Sequence, residues 1–250
     1  MPLAAAAIVT GHTRGLGEAI AAQLLSREVR VLGIARHENA ELAKRHGDAL
    51  TQVRLDLTDA AGLTSWLESD AMPNHVRQSH VALLVNNAGM LQPIGPLETQ
   101  DVASVVRAVA VNVGAALAVS TAFVAATNGA RDRRILHISS GAGRRAYAGW
   151  SVYGATKAAL DHHARIVALD ETPALRISSA APGVIDTEMQ AEIRRTTVDE
   201  FPDRQRYVDL WREGRLPSAE QVGRALVDFL LAEDFGKEVV WDLRRVTAQT

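Results

Sequence analysis

Residues Thr10-Gly11-His12-Thr13-Arg14-Gly15-Leu16-Gly17 decide the fold. An apolar run over 4–10 leads into them and a helical pattern over 16–27 leads out, so the order is strand, glycine turn, helix. Glycines at such a turn let the backbone approach a diphosphate, which the free N–H groups and dipole of the helix N-terminus stabilise. Three glycines alone are a weak sign, but the flanking strand and helix make it specific. Working outward, short apolar, β-branched runs of strand length fall at 29–35, 51–55, 81–85, 134–138, 175–180 and 238–242. Helical patterns lie between them, at 60–69, 101–126, 151–169 and 219–232. This alternation predicts an α/β fold, a Rossmann-type doubly wound parallel sheet of about seven strands with helices on both faces. Ligands of such sheets bind beyond the carboxyl ends of the strands, so functional residues are expected just after strands.

With 250 residues and no linker or internal repeat, one domain over 1–250 is expected. A hydrophobic share of 47% against 22% charged suits a globular core and excludes disorder. The net charge of -2, with no basic block, offers nothing to a nucleic acid. There is no cysteine, hence no disulfide framework or thiolate nucleophile, which suits a reducing cytoplasm. The run over 3–9 lacks a basic leader, and no uninterrupted apolar stretch reaches the roughly 20 residues of a spanning helix, so no membrane partner is expected. Residues 188–217 differ in texture: they are charged, carry Phe201, Tyr207, Leu210 and Trp211, and directly follow a strand. They are expected to form a helical flap over the crevice, with a solvated surface excursion as the alternative.

The turn is spaced TGxxxGxG rather than GxGxxG, and further motifs follow in order. Asp56 follows the third expected strand, Asn86-Asn87-Ala88-Gly89 closes the fourth, Asn112 lies in the next helix, and Ser139-Ser140 closes the fifth. Tyr153-Gly154-Ala155-Thr156-Lys157 starts a helix, and Pro182-Gly183-Val184-Ile185-Asp186-Thr187 closes the sixth strand. The ordered set, which spans the chain, resembles the short-chain dehydrogenase/reductase family. The resemblance implies an oxidoreductase that moves hydride to or from a small carbonyl or alcohol substrate. Tyr153 and Lys157, four apart, share one helix face. An ammonium there favours the phenolate of a tyrosine whose ordinary pKa is near 10, drawing it toward use as an acid/base. An isolated YxxxK would rather be a packing residue and a solvated charge; its place after Ser140 and the glycine turn reverses that weighting. The family pattern implies that Ser140 hydrogen-bonds the substrate oxygen and that Asn112 holds a water linking Lys157 to solvent. Asn112 also suits a helix irregularity. Ser139 is a rival to Ser140, but strand alternation turns only one of them to the site, and the spacing to Tyr153 favours Ser140.

The second expected strand ends in Arg36, with no carboxylate before Glu38. An acidic residue there would bind a ribose diol, whereas Arg36, with Arg14 from the glycine turn, suits a 2′-phosphate and so NADP rather than NAD. Either arginine has a surface-charge alternative, and Glu38 has a route to the ribose. By resemblance, Gly11, Thr13, Arg14, Gly15, Leu16 and Gly17 bind the diphosphate end, and Asp56 and Leu57 the adenine. Asn87, Ala88 and Gly89 wall the adenosine ribose, Tyr153 and Lys157 also belong to the cofactor site, and Pro182, Gly183, Ile185 and Thr187 engage the nicotinamide. His162-His163 are adjacent on a helix and form no ligand pattern, so no metal is expected. The small-residue stripe over 102–126 fits packing on the sheet and, by resemblance, a homodimer or homotetramer interface.

Residues 182–190, 201–202 and 210–216 further resemble the sepiapterin reductase and benzil reductase branch, which reduces vicinal dicarbonyl compounds. The ending Val239-Val240-Trp241-Asp242-Leu243 departs from the Val-Asp-Gly-Gly of many 3-oxoacyl thioester reductases. That activity and a non-catalytic NADP-binding regulator are the alternatives; the regulator would have lost Ser140, Tyr153 or Lys157. Epimerases and enoyl reductases of related fold differ in glycine or Tyr-to-Lys spacing. Tyr147, Trp150, Met189 and Trp211 are the candidates for a pocket wall, with ordinary packing as the equal alternative for each.

Overall fold

Side-chain alternation along β1 (Ala5–Thr10) sends Ala7 and Val9 into one apolar layer and Ala6 and Ile8 into another. This strand is central, and a strand buried on both faces reads as a continuous apolar run. The computed structural model describes residues 5–244. Ala4, expected in the first strand, and both ends of the single domain expected over 1–250 lie outside the described residues.

Outward from β1 the chain runs through α1 (Gly15–Leu25), β2 (Arg30–Ala35), α2 (Ala40–His46), β3 (Leu50–Arg54), α3 (Ala60–Leu67) and α4 (Ala71–Val76). It returns to the other side of β1 as β4 (Val81–Asn86), then α5 (Val102–Val109), a π-helical turn (Ala110–Ala115), α6 (Ala116–Ala126) and β5 (Asp132–Ile138). Next come α7 (Ser151–Leu169), β6 (Leu175–Ala181), α8 (Glu188–Arg195), α9 (Arg204–Arg212), α10 (Ala219–Leu231) and β7 (Val240–Asp242). The sheet order is β3-β2-β1-β4-β5-β6-β7, with every pair parallel. This is the seven-stranded doubly wound sheet that the sequence predicts. Ile20, Leu24, Leu226 and Leu230 from α1 and α10 cover one face, while Leu63, Met72, Phe123 and Ala164 from α3, α4, α6 and α7 cover the other.

The departures from expectation have local causes. β5 starts two residues early because its charged residues are internally neutralised. Arg134 pairs with Asp132 at 2.7 Å and donates to the Leu230 carbonyl at 2.6 Å, so the start carries no apolar signature. The short α2 rests on a cap, the Asn39 side chain accepting from the Leu42 N–H at 2.8 Å, rather than on periodicity. Residues 102–126 form one helix, long and apolar enough on length and composition to cross a membrane. Here Arg107 interrupts it, its inner face gives Ala115, Val119 and Phe123 to the core, and Asn112 and Ser120 are buried with partners.

Candidate active site

The glycine turn is seated on the carboxyl edges of β1 and β4. The Thr10 hydroxyl oxygen accepts from the backbone N–H of both Asn87 and Ala88 at 3.0 Å. The Asn87 amide in turn donates to the carbonyls of Thr10 and Gly11, at 3.0 and 3.3 Å. The two loops are thereby locked together. Gly17 is required for this approach, since a Cβ there would stand 2.1 Å from the Gly11 carbonyl oxygen and 2.4 Å from the Asn87 amide nitrogen. Gly11 and Gly15 take positive φ, and Arg14, the extended N-cap of α1, makes no side-chain cap. The first-turn N–H groups at Gly15, Leu16 and Gly17 are therefore left to an external acceptor, which fits the diphosphate of a nicotinamide nucleotide. Thr187, the N-cap of α8, faces Gly15 from the loop after β6, which includes Pro182, Gly183 and the buried Ile185.

On the outer side of the glycine turn, Arg14 and Arg36 are exposed. Asp56 accepts from the N–H and hydroxyl of Thr58, which hold its carboxyl below the usual carboxylate range with help from the field of Arg36. Leu57 turns inward to the core. Thr13 presents its carbonyl to the Asn39 amide at 3.1 Å. The sequence offered no sign of what His12 does. Its ring is fully buried over Gly33, where a Cβ would come within 2.5 Å of it, and Nε2 donates to Gln52 Oε1 at 2.7 Å. The same oxygen accepts from the Asn39 N–H at 2.7 Å. Burial keeps His12 below its ordinary pKa, and the ring braces the glycine turn, β3 and the loop that carries Arg36. A coupled His12/Gly33 pair is visible only once β1 and β2 are adjacent.

The residues expected to carry the chemistry lie beyond β4 and β5. Ser139 donates to the Lys157 carbonyl at 3.3 Å and faces the helix backbone. Ser140 turns the other way, accepts from the Ala142 N–H at 3.1 Å, and sets its hydroxyl beside that of Tyr153. Burial pushes the Tyr153 pKa up, and the neighbouring Ser140 hydroxyl opposes it. Lys157 is 4% exposed, donates from Nζ to the Ile138 carbonyl at 2.8 Å, and lies 5.7 Å from the centre of the Tyr153 ring. Burial brings its pKa down to about 8, against the opposing field of Asp161. Asn112 sits in the π-helical turn, accepts from the Met90 N–H at 2.8 Å, and donates to the Met90 carbonyl and the Thr156 hydroxyl. Its Oδ1 and the Lys157 ammonium both flank Gly89. The structure thus gathers Ser140, Tyr153, Lys157 and Asn112 at one place.

Residues 188–217 form α8, α9 and their connections, and an aromatic cluster joins them to this place. Trp150 stacks on Phe201 at 4.4 Å and meets Tyr153 and Tyr207 edge-on at 5.4 and 5.7 Å. Tyr147 and Met189 pack on the same cluster, along with Leu91 and Ile94. Trp211 stands apart, half exposed beneath Arg194, and Tyr207 occupies the inward position instead. Tyr207 and Trp211 are one helical turn apart and so lie on the same side of α9, but only Tyr207 reaches the cluster; Trp211, in the last turn, lies against Arg194 instead.

Comparison with known proteins follows from this geometry. A family model described as short chain dehydrogenase matches residues 5–198. The chain is 37% identical to a benzil reductase ((S)-benzoin forming) of Bacillus cereus, over 91% of this chain and 94% of that one. It is 31% identical to a sepiapterin reductase of Meriones unguiculatus, over 92% and 93%. The crystal structure of a short-chain dehydrogenase/reductase from Burkholderia vietnamiensis superposes with a TM-score of 0.72 at 45% identity, covering 98% of this chain and all of that one.

The lock between the two loops can be tested with a near-isosteric change. Thr10→Val deprives the Ala88 N–H of its acceptor and the Asn87 N–H of one of its two. Stability should fall by about 1–3 kcal/mol, read from the urea midpoint. Nucleotide affinity measured by fluorescence titration should fall with it.

Proposed function

The chain belongs to the short-chain dehydrogenase/reductase family, oxidoreductases acting on CH–OH and C=O groups, and from that premise we propose an NADPH-dependent reductase of small ketones and vicinal diketones. The observation that carries this reading is the convergence of Ser140, Tyr153 and Lys157 in a buried, aromatic-walled place on the same sheet edge as the uncapped N-terminus of α1. The names of the benzil and sepiapterin reductases support the substrate class.

When bound, reduced nicotinamide supplies the hydride. In this mechanism the Tyr153 hydroxyl delivers a proton to the carbonyl oxygen, and the Ser140 hydroxyl donates a hydrogen bond to the same oxygen as its charge grows. Because burial raises the Tyr153 pKa, the tyrosine carries its proton at neutral pH, as reduction requires. Lys157 supplies the positive field that makes loss of that proton easier, and Asn112 fixes the floor beneath it. Gly11, Thr13, Gly15, Leu16 and Gly17 cradle the diphosphate. Asp56, Leu57, Asn87, Ala88 and Gly89 border the adenosine, and Pro182, Gly183, Ile185 and Thr187 the nicotinamide. Arg14 and Arg36 read the 2′-phosphate; no carboxylate stands at the end of β2 to compete. Residues 188–217 serve as the flap over the substrate, anchored through Phe201 and Tyr207.

Association into a homodimer or homotetramer is supported by Val102, Val106 and Val109 on α5 and Ile166 and Leu169 on α7, large apolar side chains left exposed on neighbouring helices. A second copy of the same face covers them best. The absence of cysteine suits a cytoplasmic location.

Purified protein is expected to oxidise NADPH at 340 nm with benzil and other vicinal diketones, and far more slowly with acetoacetyl thioesters; the reverse preference would select the thioester alternative. Tyr153→Phe should abolish turnover and leave NADPH binding intact, and retained turnover would remove Tyr153 as the proton donor. Arg36→Asp with Arg14→Ala should weaken NADPH at least about tenfold relative to NADH, a difference of about 1.4 kcal/mol in titration; equal losses would place the phosphate elsewhere. Val106→Asp should shift light-scattering mass toward the monomer.

A further inference from the structure

Asp161 lies one helical turn beyond Lys157 on the same face of α7, buried to 1% exposure. Its two carboxylate oxygens are held from two other elements. Arg144, in the loop after β5, donates from Nε at 2.8 Å, and Ser179 on β6 donates its hydroxyl at 2.7 Å. Arg144 continues outward, donating to the Trp241 carbonyl at 3.0 Å and standing 3.8 Å from the carboxylate of Asp242. Asp242 in turn accepts from Arg244 at 2.5 and 2.9 Å. Arg244 passes beside Gly141 and Gly183, which flank Ser140 and the loop after β6. The result is a line of alternating charge, Lys157, Asp161, Arg144, Asp242, Arg244, that begins at the buried ammonium and ends at a half-exposed guanidinium.

We propose that Asp161 is the positioning residue for the lysine of this site: its buried carboxylate keeps Nζ an ammonium directed at the Ile138 carbonyl and the Tyr153 ring, and Arg144 and Asp242 set the strength of that field. The need is physical. Taking an ammonium out of water favours its neutral form, and a carboxylate one turn away is the direct remedy. Burial does press Lys157 down, to about 8, and Asp161 is the charge that opposes it. The other titratable groups facing Lys157 supply no negative charge. His137 on β5 is held neutral near neutral pH, pushed down to about 3 by burial and by the charges of His163 and Lys157, and Tyr153 keeps its proton. Among the hydrogen bonds of His137, Asn86 Nδ2 donates to Nδ1, while Nε2 donates to His163, a pattern for a neutral ring.

The inference rests on the role given above to Lys157, and its test reads the lysine itself. The chain's lysines are Lys44, Lys157 and Lys237, so a protein labelled with 13C-lysine gives a sparse spectrum in which the Cε shift of Lys157 can be followed through its titration without cofactor. Asp161→Asn should lower the Lys157 midpoint by about one pH unit or more. Arg144→Gln, which removes a positive neighbour and leaves a donor for Asp161, should raise it. Asp242→Asn, nearer the surface, should lower it by less. The alkaline limb of carbonyl reduction, which needs protons on both Tyr153 and Lys157, should move the same way in each variant. Opposite signs for Asp161 and Arg144 are not produced by a purely structural brace. If Asp161→Asn does not fold, the two remaining variants still decide. An unmoved midpoint, or shifts of one sign in all variants, overturns the proposal even where benzil is reduced; failure to reduce any carbonyl with the predicted shifts intact overturns only the function proposed above.

Discussion

The hydroxyl of Thr10 is the interaction on which the remainder of the site depends. β1 lies between β2 and β4, and the chain leaves it first to one side and later to the other. Loops after β1 and β4 therefore diverge toward opposite faces and leave a crevice at the carboxyl edge. One side-chain oxygen, accepting from two consecutive backbone N–H groups across that divide, holds the crevice to a fixed width. Everything that follows, from the close pass of Gly17 over Gly11 to the uncapped first turn of α1, is arranged around this closure.

The same economy of contacts governs the chemical end. α7 carries Tyr153, Lys157 and Asp161 at successive turns of one face, so a phenol, an ammonium and a carboxylate are aligned by helix geometry alone. Helix geometry does not make them useful. Their environment does: burial raises the tyrosine and lowers the lysine, moving the two apart in acidity, while neighbouring charges adjust the balance. The π-helical turn at Asn112 contributes by rotating one amide inward, where it satisfies both backbone groups of Met90 beneath the lysine.

A chain with only 4% aromatic residues places several of them together. Trp150, Tyr153, Phe201 and Tyr207 come from α7, the turn before it, and the segment that carries α8 and α9. Large rings contribute much apolar area each, so a small number can fasten a charged segment to the sheet edge. Gly149 assists, since a Cβ there would overlap the Glu200 carbonyl oxygen.

The sequence alone determined the alternation of strands and helices, the parallel sheet that follows from it, and the order of the glycine, asparagine, serine, tyrosine and lysine motifs. These are local signals: strand and helix periods, turn residues and fixed spacings are all written within a few residues. Where charge masked the pattern, as at Asp132 to Arg134, the strand's edge was missed because its neutralising partners lie on the same strand and on α10. Only the tertiary structure decided that His12 packs over Gly33, that Tyr207 and not Trp211 joins the aromatic cluster, and that Asp161 meets Arg144. Each of these contacts joins residues distant in sequence or depends on how far along a helix its neighbours extend. Their energy comes from desolvation and contact, which exist only after the sheet has brought the partners together, and no spacing along the chain records them.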